Sequence, residues 1–120
     1  MKPYIYVLVR EDIPLEQQLV QACHAASDAG AALNGDLRSS SLIVCTVPDR
    51  PALLAARERL ARYGIQTEMF FEPSWDMGHS ALATQPITAR KQRFAMNIYP
   101  LFRAPGAAQA PANEPRLQAA

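Results

Sequence analysis

Apolar residues fall in short blocks along the first hundred positions, and the period of each block predicts an element of secondary structure. The runs at residues 4–9 and 42–47 are almost wholly apolar, which is typical of strands that are covered on both faces. Residues 67–71 and 80–84 predict two further strands, the second of them short. The pattern therefore indicates four strands.

Helical periodicity separates and follows these strands. Residues 15–32 predict a long helix, and a polar stretch at residues 34–41 predicts the loop after it. A second helix is expected between Asp49, a candidate N-cap, and Gly64, a helix stop. Residues 87–96 predict a short third helix. This order of strands and helices predicts a layered α/β domain whose sheet is mostly parallel.

The end of the chain differs from the rest in composition. The whole chain has 120 residues, which is enough for one domain with a modest core. Residues 104–120 hold seven alanines, three prolines and no aromatic residue. Such a segment cannot bury enough apolar area to offset the entropy lost on ordering it. We therefore expect one folded domain at residues 1–103 and a disordered tail at residues 104–120.

Charge and composition narrow the setting of the protein. The net charge of +1 gives no overall attraction to nucleic acid, so any such binding needs a local basic patch. The chain has no run of about 18 apolar residues to span a membrane, and its start is expected to be a strand and not a signal peptide. Two cysteines make no disulfide framework, which favours the cytoplasm.

The first predicted helix carries a line of polar side chains. At 100° per residue, four of them fall within an arc of about 60°. They are Gln17, Gln21, His24 and Asp28. Apolar positions such as Leu19 lie on the opposite side, which is therefore expected to pack on the core. The polar line is then either an ordinary solvated face or a functional row of two amides, an imidazole and a carboxylate.

Three segments of the chain resemble one known family. QACHAA, at residues 21–26, is similar to the Ala-Gln-x-x-His-Ala segment on the first helix of the type II peptidyl-tRNA hydrolases. YIYVLVRED, at residues 4–12, is similar to that family's opening strand, and SALATQP, at residues 80–86, to its Thr-Val-Leu-Ala-Ile-Gly-Pro strand. The order and lengths of the elements also fit across residues 4–103.

The resemblance implies a fold, an activity and an assembly. It implies a three-layer α/β/α domain with a four-stranded mixed sheet whose last strand is antiparallel, and it suggests a homodimer. Members of the family hydrolyse the ester that joins a peptide to the terminal ribose of tRNA, and they require no metal or organic cofactor. By resemblance, tRNA is the expected partner of this chain, and no cofactor is expected.

Three polar residues match positions of the family's motifs. Gln21 and His24 stand in the helix segment, and Ser80 stands where the family has a threonine, so that the hydroxyl is kept. The resemblance implies that these residues position or activate the attacking water. The reference pKa of histidine, about 6.5, lets His24 act as a base near neutral pH.

Two positions depart from the family's pattern. The family's lysine falls on Gln17, which brings no charge, and its aspartate falls on Ser74, which cannot act as a base at neutral pH. Asp76, two residues after Ser74, could replace the family's aspartate only if the loop before the last strand adopts a different conformation. Loss of one such group commonly lowers a rate by about two to four orders of magnitude. The departures therefore weaken the expectation of catalysis more than the expectation of fold.

A basic segment near the end of the domain is the candidate RNA contact. Residues 86–103 contain no acid, and their cations are Arg90, Lys91, Arg93 and Arg103. These side chains are expected to hold tRNA phosphates, unless they form no more than the solvated side of the third helix.

The remaining polar and aromatic groups leave alternatives open. The cysteines and histidines lack the spacing of metal ligands, so no metal site is predicted. Trp75, in a polar loop, would either stack on a base or ribose or cover an edge of the core. His79 would either approach the site or lie in a solvated turn.

The sequence therefore predicts hydrolysis of the ester between a peptidyl or aminoacyl group and tRNA. The residues expected to carry it are Gln21, His24 and Ser80, with Gln17 and Asp76 beside them. The alternative is a catalytically impaired relative that acts as an RNA- or protein-binding module. The Gln21 and His24 pair favours the enzyme, whereas the missing lysine and aspartate favour the binding module.

Overall fold

The computed structural model describes residues 2–33 and 39–103, which form four strands and three helices. The strands are β1 (Tyr4–Arg10), β2 (Ser41–Val47), β3 (Thr67–Glu72) and β4 (Gly78–Thr84). The helices are α1 (Leu15–Ala32), α2 (Arg50–Arg62) and α3 (Arg90–Ala95). The predicted α/β class and the four predicted strands are confirmed. The expected disordered tail at residues 104–120, and most of the expected loop at residues 34–41, lie outside the described residues.

The four strands make a mixed sheet in the order β2-β1-β4-β3. Among the described strands, one pair is parallel, β1 with β2, while β4 lies between β1 and β3 and is antiparallel to both. The expectation of a mostly parallel sheet is therefore wrong for the strand pairing. The physical reason is the short turn between β3 and β4, because so few residues can join only antiparallel strands.

Side chains of β1 alternate between two hydrophobic clusters, as the period of two in a strand requires. Tyr6 and Leu8 belong to the cluster that buries residues of α2 and α3. Val7 and Val9 belong to the cluster that buries residues of α1. Because adjacent residues of β1 point to opposite sides, we call these two sides of the sheet the α3 face and the α1 face.

The two later helices differ in how closely they follow their predicted bounds. The N-cap predicted at Asp49 is confirmed, since its carboxylate accepts the backbone N–H of Ala52 at 3.0 Å. The third helix is shorter than the predicted 87–96. Ile87 instead exchanges two backbone hydrogen bonds with Tyr4, at 2.8 and 2.9 Å, so α3 begins three residues later. Within the described ranges, no helix is long and apolar enough to cross a membrane.

Candidate functional site

Small residues and two buried amides form the surface of α1 that packs on the sheet. The buried residues of the helix are Gln18, Gln21, Ala25, Ala26 and Ala29. Leu19 is 55% exposed, so the prediction that the side of α1 carrying Leu19 packs on the core is wrong at this position. Alanine allows a close approach of helix and sheet, and a buried amide is tolerated where its polar atoms find partners. Those partners decide which side of α1 is buried.

Gln21 is fully buried and lies at the centre of a hydrogen-bond network. The hydroxyl of Ser80 donates to Oε1 of Gln21 at 2.7 Å. Nε2 of Gln21 donates to Oε1 of Glu72 at 2.9 Å and to Oε1 of Gln17 at 3.3 Å. We call these four residues the Gln21 network. The structure thus brings together three residues that the sequence predicted for one site.

A β-bulge directs Ser80 toward α1. The register of β3 on β4 shifts between Phe70 and Phe71, which leaves Ser80 as an extra residue of β4. In a regular strand, Ser80 and Ala81 would point to opposite faces. Here Ser80 bonds to an amide of α1, and Ala81 packs in the cluster on the same face. The β-bulge therefore places the hydroxyl of Ser80 beside α1 while Ala81 stays in the hydrophobic cluster.

The carboxylate of Glu72 is a site residue that the sequence reasoning missed. Besides the amide of Gln21, its Oε2 accepts the backbone N–H of Ser74 at 3.1 Å. The hydrogen bond from Gln21, then that from Ser74, and the nearby imidazole of His24 lower the pKa of Glu72 below its ordinary value of 4.5. Glu72 is therefore ionised at neutral pH. The strand period could have found it, because Phe70 and Glu72 share the side of β3 that meets α1.

His24 is exposed on α1 and stacks on Phe70 of β3. The two ring centroids are 4.3 Å apart, and the ring planes lie within 2° of each other. One turn earlier on the helix, Gln21 reaches Glu72, two residues further along the strand. Successive turns of α1 thus contact successive positions on one side of β3. The stacking fixes the plane of the imidazole at the edge of the Gln21 network.

The turn between β3 and β4 holds the other predicted groups. Trp75 is 74% exposed, so it does not cover an edge of the core. The φ angles of Trp75 and Asp76 are +55° and +53°, in the left-handed region that favours glycine. Asp76 is exposed, and the carboxylate that enters the network is that of Glu72. His79 packs edge-on against Phe71, with ring centroids 5.1 Å apart.

The predicted RNA-binding segment lies on the other face of the sheet. The buried residue of α3 packs in the same cluster as Tyr6, whereas the Gln21 network lies against α1. The guanidinium of Arg93 lies 4.3 Å from the ring centroid of Tyr4 and bonds to the hydroxyl of Tyr6. The other predicted cations are exposed, namely Arg90, Lys91 and Arg103. The structure therefore does not bring these cations to the predicted catalytic residues.

The α1 face brings the exposed imidazole of His24 close to the carboxylate of Glu72. A histidine imidazole is a common general base, and a nearby carboxylate stabilises its protonated form. Gln21, which accepts the hydroxyl of Ser80, positions Glu72 by donating to its carboxylate. In the part of the chain that the structure describes, no group of three or more His, Cys, Asp or Glu side chains is placed to hold a metal ion.

Comparisons with known proteins bear on the fold. The chain is similar to a solved structure of a protein of unknown function, Atu0240 from Agrobacterium tumefaciens strain C58. The TM-score is 0.64 at 15% sequence identity, over 86% of this chain and 99% of that one. No family model matches the chain, and no curated protein matches it. A likeness at this identity shows a shared fold alone.

Proposed function

We propose that the Gln21 network and His24 form the active site of a hydrolase that cleaves the ester between a peptidyl or aminoacyl group and tRNA. The observation that carries this proposal is the placement of Gln21. Its fully buried amide joins the hydroxyl of Ser80 to the carboxylate of Glu72, one helical turn from His24. The segments that resemble the type II peptidyl-tRNA hydrolases supply the substrate class.

In the proposed reaction, water is the nucleophile and His24 is the base. The imidazole takes a proton as the water oxygen bonds to the ester carbonyl carbon. The bond from that carbon to the ribose oxygen then breaks, and the proton passes to the ribose oxygen. The negative charge of Glu72 lies near the imidazole of His24 and stabilises the imidazolium that forms in between.

Glu72 supplies the carboxylate that the departure at Ser74 removes. The backbone N–H of Ser74 donates to Glu72. Ser74 therefore lacks the family's carboxylate but helps to position the carboxylate of Glu72. The carboxylate thus enters from the end of β3. This arrangement supports the proposal against the loss of the aspartate, whereas the neutral Gln17 still speaks against catalysis.

The tRNA part of the proposal assigns phosphate contacts to the basic segment. Its members are Arg90, Lys91, Arg93 and Arg103. Since α3 and the Gln21 network lie on opposite faces, one tRNA must reach around the domain to contact both. Replacing the exposed pair Arg90 and Lys91 by alanine should lower the log–log salt slope of tRNA binding by about 0.7–0.9 per lost contact. An unchanged slope would assign both to solvated surface.

The three-layer α/β/α arrangement, the homodimer and the cytoplasmic setting implied at the outset belong to the same proposal. The alternation of β1 side chains between two helix-bearing clusters supports the layering. Sedimentation equilibrium tests the dimer, and a monomer at all concentrations would remove it.

A catalytically impaired binding module is the second candidate function. One observation favours it: both polar atoms of the Gln21 side chain are used inside the network, as in a purely structural cluster. The neutral Gln17 points the same way, since no lysine is there to stabilise an oxyanion. In this case tRNA or protein binding would persist without turnover.

The deciding experiment restores the family's charges. Release of labelled peptide from peptidyl-tRNA is measured for the wild type and for Gln17→Lys, with Gln17→Met as the matched neutral control. An enzyme limited by the missing charge should gain about tenfold or more from Gln17→Lys. The further change Ser74→Asp should add little, because Glu72 already provides the carboxylate. No release by any of these variants would favour the binding module.

A further inference from the structure

The α3 face carries a cavity that the proposed hydrolase site does not use. Its volume is about 490 Å³, and it is lined by Tyr6, Thr88, Arg90, Arg93, Phe94 and Asn97. The set combines two guanidinium groups with hydroxyls, an amide and an exposed ring, and none of these six residues is acidic. We propose that this cavity binds a nucleotide unit, with the phosphate on the two arginines and the base on the ring of Phe94.

The phosphate half of the proposed site is held in place by aromatic residues. The guanidinium of Arg93 lies over the ring of Tyr4 and bonds to Tyr6, so less of its freedom is lost when an anion binds. Burial raises the pKa of Tyr6, and its hydroxyl therefore stays protonated. Arg90, one helical turn before Arg93, is exposed beside it. Paired guanidinium groups match the geometry of a phosphate.

The base half of the proposed site is an unusually exposed phenylalanine. Phe94 is 75% exposed, although phenylalanine is among the residue types most often buried. A flat apolar ring beside cations is the arrangement on which nucleobases stack. The hydroxyl of Thr88 and the amide of Asn97 can bond to a ribose or to a base edge. A cavity of this size lies within the range of small-ligand sites.

Two sources could supply such a ligand: a free mononucleotide, or one nucleotide of an RNA strand. Both present the same phosphate, ribose and base. Two residues of the cavity, Arg90 and Arg93, also belong to the basic segment that we propose contacts tRNA. Binding of AMP tests the cavity separately from hydrolysis, because the cavity and the Gln21 network lie on opposite faces of the sheet.

The test is a calorimetric titration of the full chain with AMP, inorganic phosphate and adenosine. We expect AMP to bind about tenfold or more tightly than either half alone, because both halves of the site then act together. A tetranucleotide that binds a further tenfold more tightly, with strong salt dependence, would identify the RNA strand as the source. Equal affinities for AMP and the tetranucleotide would identify the free mononucleotide as the source. Absence of AMP binding up to roughly 10 mM would overturn the proposal.

Matched variants locate the binding. Phe94→Ala and Arg90→Ala should each weaken AMP binding by about fivefold or more, since each removes one half of the contact. Ile98→Ala removes another exposed apolar residue, and Arg62→Ala removes an exposed cation of α2; neither residue lines the cavity. Both controls should bind AMP like the wild type. Equal losses in controls and test variants would show unspecific attraction and contradict the site. Thermal melts verify that each variant is folded.

Discussion

The two faces of the sheet hold polar residues in opposite ways. On the α1 face, Gln21 and Ser80 are buried; the hydroxyl of Ser80 donates to Gln21 at 2.7 Å, and Gln21 donates to Glu72 at 2.9 Å. On the α3 face, Arg90 and Phe94 stand in solvent around an open cavity. Removing one partner of a buried hydrogen-bonded pair lowers the stability of a protein strongly, whereas removing an exposed side chain lowers it little. Substitutions on the α1 face should therefore change stability and the rate of hydrolysis, and substitutions on the α3 face should mainly change ligand affinity.

The largest expected effect tests the burial of the α1 face. Gln21→Ala should lower the free energy of unfolding by about 2–4 kcal/mol, because the substitution strands the hydroxyl of Ser80 and opens a cavity. Chemical denaturation measures the change. Gln17→Ala is the control one turn away, and because Gln17 is half-buried at the rim, its cost should stay below about 1 kcal/mol. Equal costs would mean that the network is not centred on Gln21.

The next effect concerns Arg93, a cation of the α3 face that also supports the fold. Arg93→Ala should cost about 1–2 kcal/mol, since it removes the contact with the ring of Tyr4 and the bond to Tyr6. Lys91→Ala, on the same helix and exposed, should stay within about 0.5 kcal/mol. If the two variants melted at the same temperature, Arg93 would be a surface charge like its neighbour.

A smaller effect concerns acid stability and distinguishes Glu72 from other carboxylates. The folded-state pKa of Glu72 is lowered, so the unfolded chain binds more protons as the pH falls below the ordinary value of 4.5. The stabilisation by ionised Glu72 is thus fully present above that pH and is lost as the pH falls through the lowered value. Denaturant titrations should show a steeper acid loss in the wild type than in Glu72→Gln. Glu68→Gln, outside the network, should keep the wild-type slope.

The smallest effect on stability belongs to His24. His24→Ala removes one ring stack on Phe70 at an exposed position, while alanine is the better helix former. The net change should be no more than about 1 kcal/mol in thermal or chemical melts. A loss as large as that of Gln21→Ala would make His24 a structural residue.

Much of the fold followed from the sequence because apolar blocks and helix caps are local signals. The strand pattern, the bounds of α1 and the cap at Asp49 all depend on residues close in the chain. The insertion of β4 between β1 and β3 depends on long-range pairing, which a local pattern does not encode. The expectation of mostly parallel pairing failed for this reason, whereas the sheet is mixed and its last strand is antiparallel, as the resemblance implied.

The candidate site was predicted in part for a similar reason. Helical spacing and the family resemblance singled out Gln21, His24 and Ser80. Neither signal predicted that Gln21 is buried. A helical wheel places polar residues on the exposed side and contains no information on which amide is hydrogen-bonded inside the fold. The strand period places Glu72 on the same side of β3 as Phe70, but its role was missed because that role depends on a side chain 51 positions away.

The most direct test of the central claim is single-turnover release of labelled peptide from peptidyl-tRNA at neutral pH, compared among the wild type, His24→Ala and Glu72→Gln. We expect release by the wild type and a loss of at least about tenfold, or 1.4 kcal/mol, in each variant, with both variants folded. Arg90→Ala, on the other face, should keep the wild-type rate at saturating enzyme. Wild-type rates in both α1-face variants, or no release by the wild type, would contradict the assignment of the Gln21 network and His24 as a hydrolase site.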